Sequence, residues 1–427
     1  MSKSRVGLVL AGVITLGTLH PVMAHSAEPE RTFPLESDEV SARPRSPTST
    51  LAHAQLTAPD GSGAAGFGRS VSVDGDTTVI GAPYESRGGK GEIGSAYVFL
   101  LSGGTWALQA KLVAADGAAG DWFGVSVAIS GDTVVIGSSL DDTPPGGEDA
   151  GSAYVFVRSG ETWTQEAKLK APDGARKDYF GTSVALDANT ALIGATQHSD
   201  YIGAAYVFVR SGSTWSGQSQ LTPDGSTINF GASVGLDADT AVIGSVFDDV
   251  NLGGVAYIFV RSGEAWTRQA KLTDDGLLNS FGATVALDGD TSLIGAPGTD
   301  TPAGVDAGVT HVFVRSGGTW TEEAQLVAGE GTDGDGFGGG VALNGDVAMA
   351  GAGSKDTAAG SDAGAVYVFR RAGTTWSQAI ELIAPDGQPN DNLGWFLSFD
   401  GVTLVAGAWR HDTPAARDAG AAYLRWA

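Results

Sequence analysis

A Phe-Gly step recurs along the chain at nearly equal spacing, and it limits the possible folds more than any other feature. Successive copies lie 50 to 57 residues apart. Seven copies at such a period indicate a repeat architecture. Six copies begin at Phe67, Phe123, Phe180, Phe230, Phe281 and Phe337, and the seventh, degenerate copy is Leu393-Gly394-Trp395.

Each repeat contains four strand-like segments joined by short polar turns. In the fifth copy they read FGATVAL, TSLIGA, GVTHVFVRSG and TWTEEAQL. Short strands at regular spacing favour an all-β array over βαβ units. Four antiparallel strands repeated seven times predict a seven-bladed β-propeller, and the alternative is an open β-solenoid, which would need end caps.

The two ends of the chain predict how the ring closes. The last copy ends after its third strand, at GAAYLRWA, whereas LAHAQLTAPDG near the N-terminus matches TQEAKLKAPDG (164–174), which holds a fourth strand. We therefore predict that this N-terminal strand completes the seventh blade beside the strand around Tyr423. Such pairing removes an exposed sheet edge, and the propeller is expected to span residues 49–427.

The N-terminus has the pattern of a secretory signal peptide. Lys3 and Arg5 precede an apolar run, and Val22 and Ala24 supply the small residues of a cleavage site after Ala24. The alternative is an uncleaved anchor. We expect residues 1–24 to be the signal, residues 25–48 a flexible leader, and the protein to be extracellular or periplasmic. No later segment is long and apolar enough to span a bilayer.

The composition excludes several classes of function. Lys and Arg number 25 against 49 Asp and Glu, and the formal net charge of −24 argues against nucleic acid or an anionic membrane as partner. The absence of Cys excludes disulfides and thiolate metal sites. A soluble monomer is expected.

The repeated phrase Phe-Gly-x-Ser-Val-Ala…Gly-Ala-Pro resembles the FG-GAP repeat, the β-propeller type of integrin α chains and of many secreted bacterial proteins. The best copies are residues 67–83 and 281–297, and the resemblance covers residues 50–427. It implies extracellular binding, often with Ca²⁺. Here, however, the turns LDGDT, LDADT and LNGDV offer one or two carboxylates, where Ca²⁺ takes about six to eight oxygens. We expect no cofactor, with Ca²⁺ at these turns as the alternative.

The long loops between second and third strands are expected to share one face of the ring, which we call the long-loop face. They repeat the phrase Asp-Thr-Pro…Asp-Ala-Gly, whose carboxylates either cap their own turns or bind a cation or basic ligand. Three Trp residues near this face break the repeat. The candidate ligand-binding residues are Trp122, Asp142, Asp149, Asp300, Asp306, Asp356, Asp362, Trp395, Trp409, Asp412 and Asp418.

Other conspicuous residues are interpreted as scaffold. Ser70, Ser126 and Ser183 lie inside the repeated first strand, and His311 takes a position that holds Tyr in other copies. The Trp that opens each fourth strand is expected to pack on the neighbouring sheet. No catalytic residue and no metal ligand is predicted, since no zinc-type His spacing occurs. The Trp set is Trp106, Trp163, Trp215, Trp266, Trp320 and Trp376.

These observations favour a secreted or surface-associated binding or adhesion module that recognises an extracellular protein or glycan. Two alternatives stay open. One is a carbohydrate-active enzyme that uses acidic loop residues, and the other is a structural component of an extracellular matrix or surface. An enzyme is less favoured, because equal Asp residues in every repeat indicate structure.

Overall fold

The computed structural model describes residues 48–50, 54–60, 63–225, 227–248, 253–274, 276, 278–414 and 416–426. The predicted signal peptide and all but the last residue of the predicted leader lie outside the described residues. The described chain is all-β: seven four-stranded antiparallel blades form a ring, as predicted, and no α-helix occurs among these residues. Accordingly, none of the described segments is a helix that could cross a membrane.

Blades are numbered in chain order, and each blade runs outward from its first strand. Blades 1 to 3 consist of Ser70–Asp74, Thr77–Ala82, Ser95–Ser102 and Thr105–Leu112; Ser126–Ser130, Thr133–Ser138, Ser152–Ser159 and Thr162–Leu169; Phe180–Asp187, Thr190–Ala195, Ala204–Ser211 and Thr214–Leu221. Blades 4 and 5 consist of Ser233–Asp237, Thr240–Ser245, Val255–Ser262 and Ala265–Leu272; Thr284–Asp288, Thr291–Ala296, Val309–Ser316 and Thr319–Leu326. Blades 6 and 7 consist of Phe337–Asn344, Val347–Ala352, Ala365–Ala372 and Thr375–Ile383; Phe396–Phe399, Thr403–Ala408, Ala421–Trp426 and Ala54–Leu56.

The Phe-Gly step fastens each blade to the preceding one. Phe123 is fully buried, its ring meets Tyr154 edge-on at 5.3 Å, and its backbone pairs with Gly94 of blade 1. Gly124 has φ +93°, and a Cβ there would collide with the carbonyl oxygen of Ser95. Only glycine permits this approach between blades.

The repeated Ser of the first strand serves the same junction. Ser70 Oγ donates to the Gly124 carbonyl of the next blade at 2.7 Å. Ser126 and Ser183 donate at 2.8 Å to Gly181 and Gly231 in the same way. The interpretation of these serines as scaffold is therefore confirmed.

The N-terminal strand closes the ring as predicted. Ala54–Leu56 pairs antiparallel with Ala421–Trp426, and Gln55 lies opposite Tyr423. Two pairings were not predicted. Thr48–Thr50 runs parallel to the outer strand of blade 6, and Thr227–Ile228 pairs with Phe247–Asp248 beside blade 4. Segments of two or three residues are too short to show the alternation that identifies a strand.

The opposite face, which we call the short-turn face, repeats one set of contacts from blade to blade. In blade 2, Arg158 pairs with Asp132 at 2.6 Å, donates to Thr77 of blade 1 at 3.0 Å, and stacks over Trp163. Trp163 Nε1 donates to Gln109 of blade 1 at 2.8 Å. The fourth-strand Trp thus packs on the neighbouring sheet, as predicted. The stacked Arg recurs at Arg261, Arg315 and Arg371.

Carboxylates of the first turns on this face bond to the next blade. Asp74 accepts the Gly131 N–H at 2.6 Å, which joins the first turns of blades 1 and 2. These acids therefore contribute to the cohesion of the ring. Equivalent bonds join Asp187 to Ala238, Asp237 to Gly289, Asp288 to Gly345 and Asp400 to Gly75.

Candidate functional site

On the long-loop face, a polar network surrounds the third-strand Tyr of nearly every blade. In blade 1, the Tyr97 hydroxyl lies 2.6 Å from Asp60 and 2.7 Å from Glu85. Lys111, opposite Tyr97 on the fourth strand, pairs with both carboxylates at 2.5 Å. Burial and the two carboxylates raise the pKa of Tyr97 far above its ordinary value, so the hydroxyl stays protonated. We call this arrangement the Tyr network.

The Tyr network keeps its geometry while its charges change from blade to blade. Blade 2 repeats it around Tyr154, with Asp141 and Lys168 in the places of Glu85 and Lys111. Blade 6 reverses the two charges: Lys355 replaces the loop acid, and Glu381 replaces the fourth-strand Lys. In blade 6, Lys355 pairs with Asp335 at 3.4 Å, and Glu381 accepts a hydrogen bond from the Tyr367 hydroxyl at 3.2 Å. Such partners offset the cost of burying a charge.

In blade 5 the aromatic position of the Tyr network holds His311. It is buried, its ring lies 5.0 Å from that of Phe281, and its Nδ1 is 2.8 Å from Glu322. The expectation that His311 serves packing is confirmed.

Blade 2 contains a buried carboxylate, Asp121, whose pKa is raised. Asp121 is 4% exposed and accepts the Ala118 N–H at 2.6 Å. Burial, together with the negative charges of Asp141 and Asp142, raises the pKa of Asp121 to about 6, although the Ala118 bond opposes the shift. Blade 1 has no acidic residue at the equivalent position, which is occupied by Ala65.

The eight candidate Asp residues form four separate pairs, in blades 2, 5, 6 and 7. In each pair the first carboxylate accepts the backbone N–H of the second residue, so the turn-capping interpretation holds for the first member. The distances are 3.0 Å for Asp142 and Asp149, Asp300 and Asp306, and Asp356 and Asp362, and 2.8 Å for Asp412 and Asp418. Within the described part of the chain, no group of three or more His, Asp or Glu residues is arranged to hold a metal ion.

Two of the three candidate Trp residues belong to one cluster. The Tyr84 ring meets Trp122 at 5.3 Å and Trp409 at 6.2 Å, both edge-on. Trp122 Nε1 also donates to Glu92 at 2.9 Å. We call Tyr84, Trp122 and Trp409 the aromatic cluster; all three are half-buried. It joins blades 7, 1 and 2, and blades 7 and 1 are neighbours only because the ring closes.

A buried cation supports the aromatic cluster. Arg69 follows the first Phe-Gly step and is 1% exposed. Its Nε donates to the Tyr84 hydroxyl at 3.2 Å, and its guanidinium lies 4.7 Å from the Phe396 ring and 5.7 Å from that of Trp409. Cation–π contacts of this kind fix the aromatic rings in place.

The third candidate, Trp395, packs against blade 6. The positions that face its ring are Gly339 and Gly353, where any Cβ would collide with the indole. Trp395 is half-buried, and these two glycines leave the space that its indole ring fills.

A cavity of about 330 Å³ opens beside the aromatic cluster, between blades 7 and 1. Gly66, with φ +65°, lies on its wall, and a Cβ there would collide with the Tyr84 ring, whereas the equivalent position holds Trp122 in blade 2 and Tyr179 in blade 3. We call it the blade 7–1 cavity. It is lined by Ala64, Gly66, Tyr84, Trp409, Arg410 and Asp418.

Sequence reasoning identified two lining residues of this cavity, Trp409 and Asp418, but missed Tyr84 and Arg410. Tyr84 and Arg410 occupy equivalent positions after the second strand, where blades 5 and 6 carry Gly298 and Ser354. Blades 2, 3 and 4 carry Leu140, Gln197 and Phe247 there, so no two blades share a residue and the repeat does not fix this position.

The family model for the FG-GAP repeat matches seven segments, which together cover most of the chain. They are residues 52–99, 106–156, 163–208, 215–259, 266–313, 320–369 and 376–424. Each segment runs from the fourth strand of one blade through the third strand of the next, in agreement with the closure seen in the fold. No curated protein matches the chain. With seven matched repeats and seven blades, the chain belongs to the FG-GAP repeat family.

Proposed function

We propose that this protein is a secreted or surface-associated binding propeller that recognises an extracellular protein or glycan with its long-loop face. The observation that carries this proposal is the contrast between the two faces. The short-turn face repeats one Arg–Asp–Trp set, whereas Tyr84, Trp122, Trp409 and Arg410 lie in one sector of the long-loop face, and no other blade has the same residue at any of these positions.

The chemistry of this sector suits recognition. Half-buried Trp and Tyr residues beside an exposed Arg are the residue types that dominate binding energy at interfaces. The ring holds them rigidly, so a ligand would lose little energy in ordering them. The predicted signal peptide supports an extracellular setting.

We propose that binding needs no metal ion. The carboxylates of the first turns accept N–H groups from the next blade, as Asp74 does from Gly131, and this supports a structural role for them. We expect the thermal midpoint and ligand binding to be the same in Ca²⁺ and in chelator. A midpoint that rises with Ca²⁺ concentration would contradict this, because a ligand that binds only the folded state stabilises it.

The test compares the two faces with matched variants. The chain from His25 onward is presented to immobilised extracellular proteins and polysaccharides, as wild type, as Trp122→Ala and as Trp266→Ala. Both tryptophans are half-buried, but Trp266 lies at the short-turn face, under Arg261. We expect binding that Trp122→Ala weakens and Trp266→Ala leaves unchanged. Equal loss in both variants would contradict the proposal.

A further inference from the structure

We propose that the blade 7–1 cavity binds a single uncharged, hydroxylated sugar ring. This inference rests on the proposed function and names the class of ligand for the long-loop face. The structure supports it through the size of the cavity, its apolar walls, its two polar side chains and the cations already present beside it.

The size fits one ring. A volume of about 330 Å³ lies at the lower end of the roughly 300–1,000 Å³ that small-molecule pockets span. Gly66 lines the cavity without a side chain, and because a Cβ there would collide with the Tyr84 ring, this glycine lets Tyr84 lie against the cavity wall. A polysaccharide could place only one of its sugar rings in the cavity, and the rest of its chain would have to lie outside the cavity on both sides of that ring.

The walls offer apolar surface of the right kind. Tyr84 and Trp409 line the cavity, and both are held by Arg69, which bonds to Tyr84 and lies near the Trp409 ring. Aromatic side chains pack well on the flat C–H surface of a sugar while their polar tips stay bonded. Arg69 therefore acts as a positioning residue for both walls.

The polar side chains are complementary to hydroxyl groups. Arg410 can only donate hydrogen bonds, and an ionised Asp418 can only accept them. Both line the cavity and both are exposed. A hydroxyl group is donor and acceptor at once, so a ring that carries several hydroxyls can satisfy both side chains together. The backbone of Asp418 is fixed by its bond to Asp412, at 2.8 Å.

Charged ligands fit less well. The guanidinium groups of Arg410 and Arg69 lie 4.3 and 5.7 Å from the Trp409 ring, so a cationic ligand would meet two positive charges beside the cavity. An anionic polymer would meet Asp418 in the cavity and a chain of net charge −24 around it. An uncharged ring avoids both penalties.

Saturation-transfer NMR and tryptophan fluorescence test the proposal on the chain from His25 onward. The probes are methyl glycosides of glucose, galactose, mannose and N-acetylglucosamine, with glucuronate and choline as charged comparisons. The variants are Trp409→Ala and the nearly isosteric Asp418→Asn. Tyr179→Ala is the control, because Tyr179 is equivalent to Gly66 in blade 3 and does not line the cavity.

We expect at least one uncharged glycoside to bind, and both cavity variants to weaken it about tenfold while Tyr179→Ala leaves it unchanged. Asp418→Asn should fold normally, so its result decides the case if Trp409→Ala loses stability. The proposal is wrong if no uncharged glycoside binds, if only glucuronate or choline binds, or if Tyr179→Ala causes an equal loss. Macromolecular binding that Trp122→Ala still abolishes would then leave the proposed function standing without this ligand.

Discussion

Blades 3 and 7 contain the same Tyr network, but the chain assembles it in different ways. In blade 3, His198 Nδ1 lies 2.9 Å from Asp178, and Gln220 donates to Tyr206 at 3.0 Å. In blade 7 the corresponding pairs are His411 with Asp391 at 2.9 Å and Gln55 with Tyr423 at 3.1 Å. Blade 3 draws all its strands from consecutive sequence, whereas Gln55 reaches blade 7 from the opposite end of the chain.

The near identity of the two networks shows that the blade determines the side-chain geometry, whatever the order of its strands. The difference lies in what holds the fourth strand. In blade 3 a short turn connects the fourth strand to the third strand, which contains Tyr206. In blade 7 only strand pairing and packing hold the fourth strand, Ala54–Leu56, to the third. Blade 7 is therefore expected to be the place where the ring opens first.

Removing the N-terminal strand should have the largest effect. Deletion of residues 25–57 takes away the fourth strand of blade 7 and the strand Thr48–Thr50 on blade 6, and exposes two sheet edges. We expect a loss of several kcal/mol in the free energy of unfolding, since buried side chains such as Leu56 and two strand pairings disappear.

Calorimetry measures this loss, and deletion of residues 25–47 is the control, because it leaves both strands in place. An unchanged thermal midpoint after the longer deletion would show that blade 7 does not depend on its fourth strand.

The Gln residues of the two networks provide a sharper test. Gln55 Nε2 lies 3.0 Å from Asp386 and 3.2 Å from His411, and Gln220 makes the equivalent contacts to Asp173 and His198. Loss of these bonds should cost about 1–2 kcal/mol in either blade. We expect Gln55→Ala to cost more than Gln220→Ala, because it also loosens the closing strand. Urea unfolding of both variants makes the comparison, and equal losses would mean that closure is not the weaker point.

Much of this architecture could be predicted from the sequence, because the same pattern of strands and turns occurs seven times. The match between residues 51–61 and 164–174 was enough to place the closing strand opposite Tyr423. The similarity of the repeats also identified the Asp-containing turns, where Asp300 and Asp356 cap their loops.

The candidate cavity could be predicted only in part, since its residues come from blades that the sequence separates. Tyr84 and Trp409 meet because the ring closes, and their contact has no local sequence signal. The reversed charges of Lys355 and Glu381 were likewise missed, because each looks like an ordinary surface charge until the register of blade 6 brings Glu381 opposite Tyr367.

Asp121 of blade 2 tests whether every Tyr network offsets its buried carboxylate with a neighbouring group, as His does in blades 3 and 7. It occupies the position of Asp178 and Asp391, but the loop residue opposite is Asp141, where those blades have His. Its pKa is raised to about 6, so the folded state holds a proton that the unfolded chain releases near pH 4. Stability that Asp121 contributes is therefore lost as the pH rises from about 4 to about 6.

We expect Asp121→Asn to raise the free energy of unfolding by about 1–2 kcal/mol above pH 7, while its amide oxygen keeps the Ala118 N–H bond. Below about pH 4 the difference should vanish, because Asp121 is then protonated in both states. Urea unfolding at the two pH values measures it, and a pH-independent gain would mean that the titration of Asp121 is not its cause.

His411 should give the smallest effect, and one of opposite sign. Burial alone lowers the pKa of His411, but the bond to Asp391 and the charges of Asp386 and Asp412 outweigh it and raise the pKa. The stabilisation is therefore complete below the unfolded pKa of about 6.5 and is lost as the pH rises through the folded pKa. We expect His411→Gln to cost up to about 1 kcal/mol more near pH 6 than near pH 9. Gln55→Ala removes no ionisable group and is therefore the control for closure itself. If His411→Gln costs the same at both pH values, the charge on His411 does not help to hold blade 7 closed.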